Sequence, residues 1–166
     1  MKKYLSILLI LVCTFMLTAC GSETDPNAKV FQEEDFEITL NNGFEKSILG
    51  GIKYFYKNEE MQAAVVVKVE SKQLFENAGI DFPDDTKSYA EFVVKSNNLV
   101  DSKVKTKGGS ARFAYDKTVN GKEYHYYGVA NKKGDAYYLV TFYCFSDKGN
   151  EYQNQFDKWA DSIVIK

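Results

Sequence analysis

Phe36-Glu37-Ile38-Thr39-Leu40 alternates apolar and polar residues, the period-two mark of a half-buried strand, and Asn41-Asn42-Gly43 then turns the chain. A second strand is predicted over residues 52–57 and a polar turn over 58–61. A third strand follows over 63–70, with Val65, Val67 and Val69 on one face. The connection is short enough for an antiparallel hairpin. Ser88-Tyr89-Ala90-Glu91 has capping-box spacing. Tyr89, Phe92, Val93 and Ser96 then fall at i, i+3, i+4 and i+7, so a helix is predicted over 89–97, with a short turn over 73–77 before it. Strands are predicted over 103–107 and 110–119, separated by Gly108-Gly109. Asn120-Gly121 is a strong hairpin signal because both residues accept positive φ, and the return strand covers 123–130. Residues 131–134 turn the chain again, and 136–145 is the longest apolar strand. Tyr152, Phe156, Trp159 and Ile163 form one apolar stripe, which predicts a closing helix over 150–162. The order is three strands, a helix, four strands, a helix. It predicts an α+β fold, an antiparallel sheet of about six or seven strands packed by two helices.

The N-terminus carries a different pattern. Lys2 and Lys3 precede an apolar run from Tyr4 to Met16, broken only by Ser6 and Thr14, and Leu17-Thr18-Ala19-Cys20 closes it. A basic start, a short apolar core and a small-residue end make a secretory signal. Residues 4–19 fall short of the ~20 apolar residues that span a bilayer. Leu17-Thr18-Ala19-Cys20 resembles the lipobox of bacterial lipoproteins. That resemblance implies that residues 1–19 are a signal peptide and that the Cys20 thiol receives diacylglycerol. The implied location is the cell membrane, lipid-anchored on its extracytoplasmic face, with acyl groups such as palmitate as the anchor. Two acyl chains hold durably where one is marginal. Residues 20–29 read as the lipidated cysteine and a polar tether, and nine residues reach at most ~30 Å. Residues 30–166 read as a single domain.

Composition narrows the function. The chain has 166 residues and a formal net charge of −2. Loss of residues 1–19 removes Lys2 and Lys3 and no acidic residue, so the mature chain is more acidic still. Such a balance argues against a nucleic-acid partner, which calls for a concentrated basic face. It also supplies no electrostatic pull toward an anionic membrane. A single histidine, His125, argues against a metallohydrolase. Of three cysteines, Cys13 lies in the signal segment and Cys20 takes lipid. Cys144 is left alone in an apolar strand, where it reads as a small hydrophobe rather than a nucleophile.

Taken together, these features resemble bacterial lipoproteins of the PsbP-like fold. The resemblance rests on the opening Phe36-to-Phe44 segment with its Asn-Gly-Phe turn, on the antiparallel strands around Asn120-Gly121 and 136–145, and on the closing segment from Phe156 to Ile163. It covers residues 31–166 and implies a PsbP-like sandwich. The fold also occurs in the plant photosystem II extrinsic protein and in a Ran-binding eukaryotic protein, so it does not fix a function. Residues 79–85 look like a local insertion against that pattern.

The candidate sites are few. His125 has no marked nucleophile, and no Gly-x-Ser-x-Gly elbow is present, so no catalytic residue is expected. Asp81, Asp84 and Asp85 lack the spacing of a calcium loop, and no metal site is expected. Residues 105–110 lack the order of a phosphate loop, and Lys103, Lys105 and Lys107 read as a charged sheet edge. No cofactor is expected. The tyrosines remain. Tyr54 and Tyr56 share one strand face, and Tyr124 and Tyr126 share another. These four are the candidate ligand-binding residues, because a tyrosine ring joins an apolar body to a hydroxyl. The last two should stand ~7 Å apart. The expected function is a non-catalytic, lipid-anchored envelope protein that binds an envelope ligand or a partner protein. The alternatives are an enzyme or enzyme subunit of the envelope, or a structural stabiliser of a membrane complex.

Overall fold

The structure, a computed structural model, describes residues 26–99 and 101–166. The expected signal peptide, the lipidation of Cys20 and most of the tether lie outside the described residues. Among those described, no helix is long and apolar enough to cross a membrane.

The longer strands follow from the period-two runs, and pairing with neighbours adds the short ones. They are β1 (Lys29–Gln32), β2 (Phe36–Leu40), β3 (Glu45–Ser47), β4 (Tyr54–Asn58) and β5 (Ala63–Ser71). After two helices come β6 (Lys105–Lys107), β7 (Ser110–Val119), β8 (Lys122–Lys133) and β9 (Ala136–Phe145), and β10 (Val164–Ile165) closes the chain. A seven-stranded sheet has the order β3-β4-β5-β9-β8-β7-β6, and a three-stranded sheet has the order β1-β2-β10. Every pairing is antiparallel. The expected α+β sandwich is present, with a second small sheet that the pattern did not announce. β8 runs on to Lys133, three residues past the expected end. β6 is a three-residue edge strand, all of it exposed, in keeping with the charged-edge reading of its lysines.

The helices are α1 (Lys72–Asn77), α2 (Thr86–Ser96) and α3 (Gly149–Asp161). Helix α2 starts three residues earlier than predicted. Asp85, not Ser88, is its N-cap: the Asp85 carboxylate accepts from the Ser88 backbone N–H at 2.7 Å, and Ser88 Oγ accepts from the Asp85 N–H at 3.1 Å. The box exists, with Ser88 in the role of its third residue. The 79–85 stretch therefore serves as the connector that caps α2. Its Phe82 packs edge-on against Phe75 at 5.4 Å and onto Tyr137 at 5.0 Å.

Period-two alternation gives the large sheet two faces with different covers. On the first face Val65, Val67, Tyr127, Val129, Val140, Phe142 and Cys144 meet Phe36, Ile38 and Leu40 of the small sheet and Phe156 and Trp159 of α3. Arg112 reaches from this face to α3, with 2.9 Å to Asp157 and 2.6 Å to Asp161, one helical turn apart. On the second face α1 and α2 cover only one half. There Phe75, Tyr89 and Ala90 pack on Ala111, Phe113, Ala130, Tyr137 and Leu139. Gly128 marks the limit of that cover, since a Cβ there would stand 2.5 Å from the Phe113 ring.

Candidate functional site

The uncovered half of the second face is aromatic. Register places Tyr115 opposite Tyr126 and Tyr126 opposite Tyr143, across β7, β8 and β9. One row further toward the β7–β8 turn, Tyr124 stands opposite Phe145. All five side chains are half-buried, and none belongs to either buried cluster or its packed periphery except Tyr115, which borders the α2 side.

The rings pack on each other. Tyr115 and Tyr126 stack at 4.9 Å with 6° between planes, and Tyr124 and Phe145 at 5.1 Å with 27°. Tyr126 and Tyr143 tilt at 5.5 Å. These separations match the ~4.8 Å spacing of neighbouring strands. Parallel rings that close together across strands must stand on edge, each face turned to its neighbour. Tyr124 and Tyr126 are 6.3 Å apart along the strand, close to expectation. The surface is thus a comb of ring edges tipped by hydroxyls rather than a flat ledge of ring faces.

The hydroxyls separate this comb from the other tyrosines. Tyr54 and Tyr138 donate to Asp35 at 2.5 and 2.7 Å, and Tyr56 to Glu33 at 3.1 Å. Tyr89 donates to Glu70, Tyr127 to Asp157, Tyr137 to the Pro83 carbonyl and Tyr152 to the Met61 carbonyl. No such partner exists among the described residues for the hydroxyls of Tyr115, Tyr124, Tyr126 and Tyr143, and none of the four is a buried orphan. They face solvent. Burial, with Tyr126 beside it, pushes the Tyr115 phenol up to about 12. Burial and neighbouring phenols also raise Tyr126 and Tyr143. These three hydroxyls therefore remain protonated, able both to donate and to accept.

Tyr54 and Tyr56 do not join that surface. They lie on the opposite face of the large sheet, where Tyr56 is 0% exposed and tilts against Phe31 at 4.7 Å. Strand periodicity correctly pairs each set but cannot say which face remains open. Tyr115 and Tyr143 complete the comb, and only the cross-strand register reveals them. A cavity of about 530 Å³ continues the site past Tyr115 at the β7 edge, lined by Asn97, Asn98, Leu99, Ser102, Tyr115 and Asp116 among others.

His125 lies between Tyr124 and Tyr126 in sequence and points the other way. Its ring stacks on Phe156 at 6.3 Å, and a Cβ on Gly149 would come within 2.7 Å of it. Its Nδ1 meets Asp116 Oδ1 at 2.8 Å, and Ser146 Oγ donates to that same oxygen at 3.3 Å. The serine therefore bonds the carboxylate rather than the imidazole, so among the described residues no hydroxyl is placed for activation by His125. Cys144 is fully buried, and burial, with Asp147 next, pushes its thiol up to about 11.

The architecture matches known structures where the sequence alone does not. No protein-family model matches the chain, and no curated protein matches it. The solution structure of cyanobacterial PsbP (CyanoP) from Synechocystis sp. PCC 6803 superposes with a TM-score of 0.57 at 12% identity, over 90% of this chain and 99% of that one. The fold is PsbP-like. The Ran-binding protein Mog1p of Saccharomyces cerevisiae shares it, with a TM-score of 0.54 at 7% identity, over 84% of this chain and 95% of that one. A Bacteroides thetaiotaomicron protein gives 0.57 at 9%, over 86% of this chain and 49% of that one.

Proposed function

We propose that this is a non-catalytic, lipid-anchored envelope protein whose Tyr115–Tyr124–Tyr126–Tyr143 comb binds a partner protein. One observation carries the reading. Every other described tyrosine uses its hydroxyl inside the molecule, while these four turn theirs to solvent on the half-sheet that the helices leave bare. Half-buried tyrosines with free hydroxyls are what protein interfaces enrich, since each ring adds contact area at low entropic cost. A glycan is the weaker fit, because sugars stack on exposed ring faces and these faces are already spent on one another. One protein of the same fold is named for binding another protein, which is in keeping with this use of the sandwich. The anchor is read from the sequence around Cys20.

The test is site-specific photocrosslinking in native cells. A photoreactive residue at Tyr126 should give one discrete protein adduct that the same residue at exposed Lys105 does not give. Identical adduct patterns at both positions, or none at Tyr126, would refute the interface.

A further inference from the structure

A second exposed surface lies on the opposite side of the sandwich. Four of the seven large hydrophobic residues that stand exposed among the described residues lie on the small sheet or on the β3–β4 connection that pairs with its turn: Val30, Ile48, Leu49 and Val164. Val30 on β1 and Val164 on β10 face outward from the small sheet, opposite Thr39 and Glu37 of β2. Ile48 and Leu49 form the tip between β3 and β4, and Ile48 is 96% exposed. Ion pairs join the residues flanking this tip to the β1–β2 turn of the small sheet: Lys46 to Glu33 at 2.6 Å and Lys53 to Asp35 at 2.5 Å. An isoleucine held almost wholly in water forgoes the stabilisation that burial against another apolar surface would bring.

We infer that the outer face of the small sheet and the Ile48–Leu49 tip rest on the lipid surface. This inference depends on the reading of Cys20 as the anchor. The chain enters the domain at Lys29, the first residue of that same small sheet. Eight residues separate it from Cys20, so β1 stays within ~30 Å of the bilayer. Valines and an isoleucine-leucine tip bordered by Tyr54, Lys46 and Lys53 suit the interfacial zone. There apolar groups sink in while lysines keep their ammonium groups in water. The lysines are paired with Glu33 and Asp35, so the contact needs no anionic lipid. Because the small sheet packs on one face of the large sheet and the tyrosine comb occupies the other, this orientation aims the comb away from the membrane.

The experiment uses the full lipidated chain, reconstituted in phosphatidylethanolamine–phosphatidylglycerol vesicles. Ile48→Cys and, as the control on the comb side, Lys117→Cys are labelled with an environment-sensitive fluorophore. Buried Cys144, with its raised thiol, stays unlabelled. Nitroxide-bearing acyl chains should quench the probe at position 48 severalfold more than the probe at position 117. Equal quenching at the two positions, or none at 48, overturns the inference while leaving the anchor standing. If the Cys20→Ala chain floats with vesicles as well as the wild type, the anchor reading itself fails, and this orientation with it.

Discussion

At the scale of single residues, Asp35 accepts side-chain hydrogen bonds from Lys53, Tyr54 and Tyr138. Burial works to raise its pKa, but hydrogen bonds from Lys53, Tyr54 and Tyr138, with the Lys53 charge, outweigh burial and hold it down at about 2. The ordinary value is 3.8. A carboxylate whose pKa is lower in the folded state adds stability above its unfolded pKa, and that stability disappears as pH falls through the folded value. The contribution should thus be intact above pH ~4 and gone near pH ~2. Urea unfolding midpoints measured across this window should drop more steeply for the wild type than for Asp35→Asn, which cannot titrate. Parallel acid limbs would show that Asp35 is not the group responsible. Nothing in the sequence marks Asp35, since its three partners come from β4, β9 and the loop before β4 and converge only in the folded chain.

At the scale of elements, α3 is where pattern reading and structure agree most closely. The predicted stripe is the buried one, with Phe156 0% and Trp159 2% exposed. Trp159 meets Phe44 edge-on at 5.1 Å and Phe142 at 5.7 Å, and its indole N–H donates to Asn41 Oδ1 at 2.9 Å. Truncation to alanine removes the ring and leaves a void that rigid strand residues on either side cannot fill. Trp159→Ala should therefore cost ~3–5 kcal/mol in chemical denaturation. An unchanged midpoint would mean that the helix is not docked through this residue. Long elements of this kind were legible because a repeated period accumulates evidence along many residues. β1, β3 and β10 were not, for the opposite reason. Glu45-Lys46-Ser47 is wholly polar and Val164-Ile165 is two residues long, so neither carries a period, and pairing with a neighbour alone makes them strands. The start of α2 was misplaced because Ser88 satisfies the same spacing rule from the cap or from the third position. The backbone at Asp85 decided between them.

At the scale of the whole molecule, sequence alone yields the faces of each strand but not the layer that covers them. That is why Tyr54 and Tyr56 looked equivalent to Tyr124 and Tyr126, and why the two pairs ended on opposite sides of one sheet. The distinction matters for function, because a stacked tyrosine can be structural through its ring and functional through its hydroxyl. The two roles separate on substitution to phenylalanine. Tyr126→Phe with Tyr143→Phe keeps both rings in the stack between Tyr115 and β9 and deletes two solvent-facing hydroxyls that make no internal hydrogen bond. Folding should change by no more than ~0.5 kcal/mol, as for a surface change away from any packed feature. Partner capture at the comb should weaken severalfold, since the partner groups that bond these hydroxyls would be left unsatisfied in a desolvated interface. Tyr126→Ala instead removes a ring that Tyr115 and Tyr143 lean on, so it should reduce both stability and capture. If the double phenylalanine variant captures its partner as well as the wild type while the alanine variant loses stability, the comb is a packing device and the interface lies elsewhere. If it folds normally and captures poorly, the hydroxyl edge of the sheet is the recognition surface.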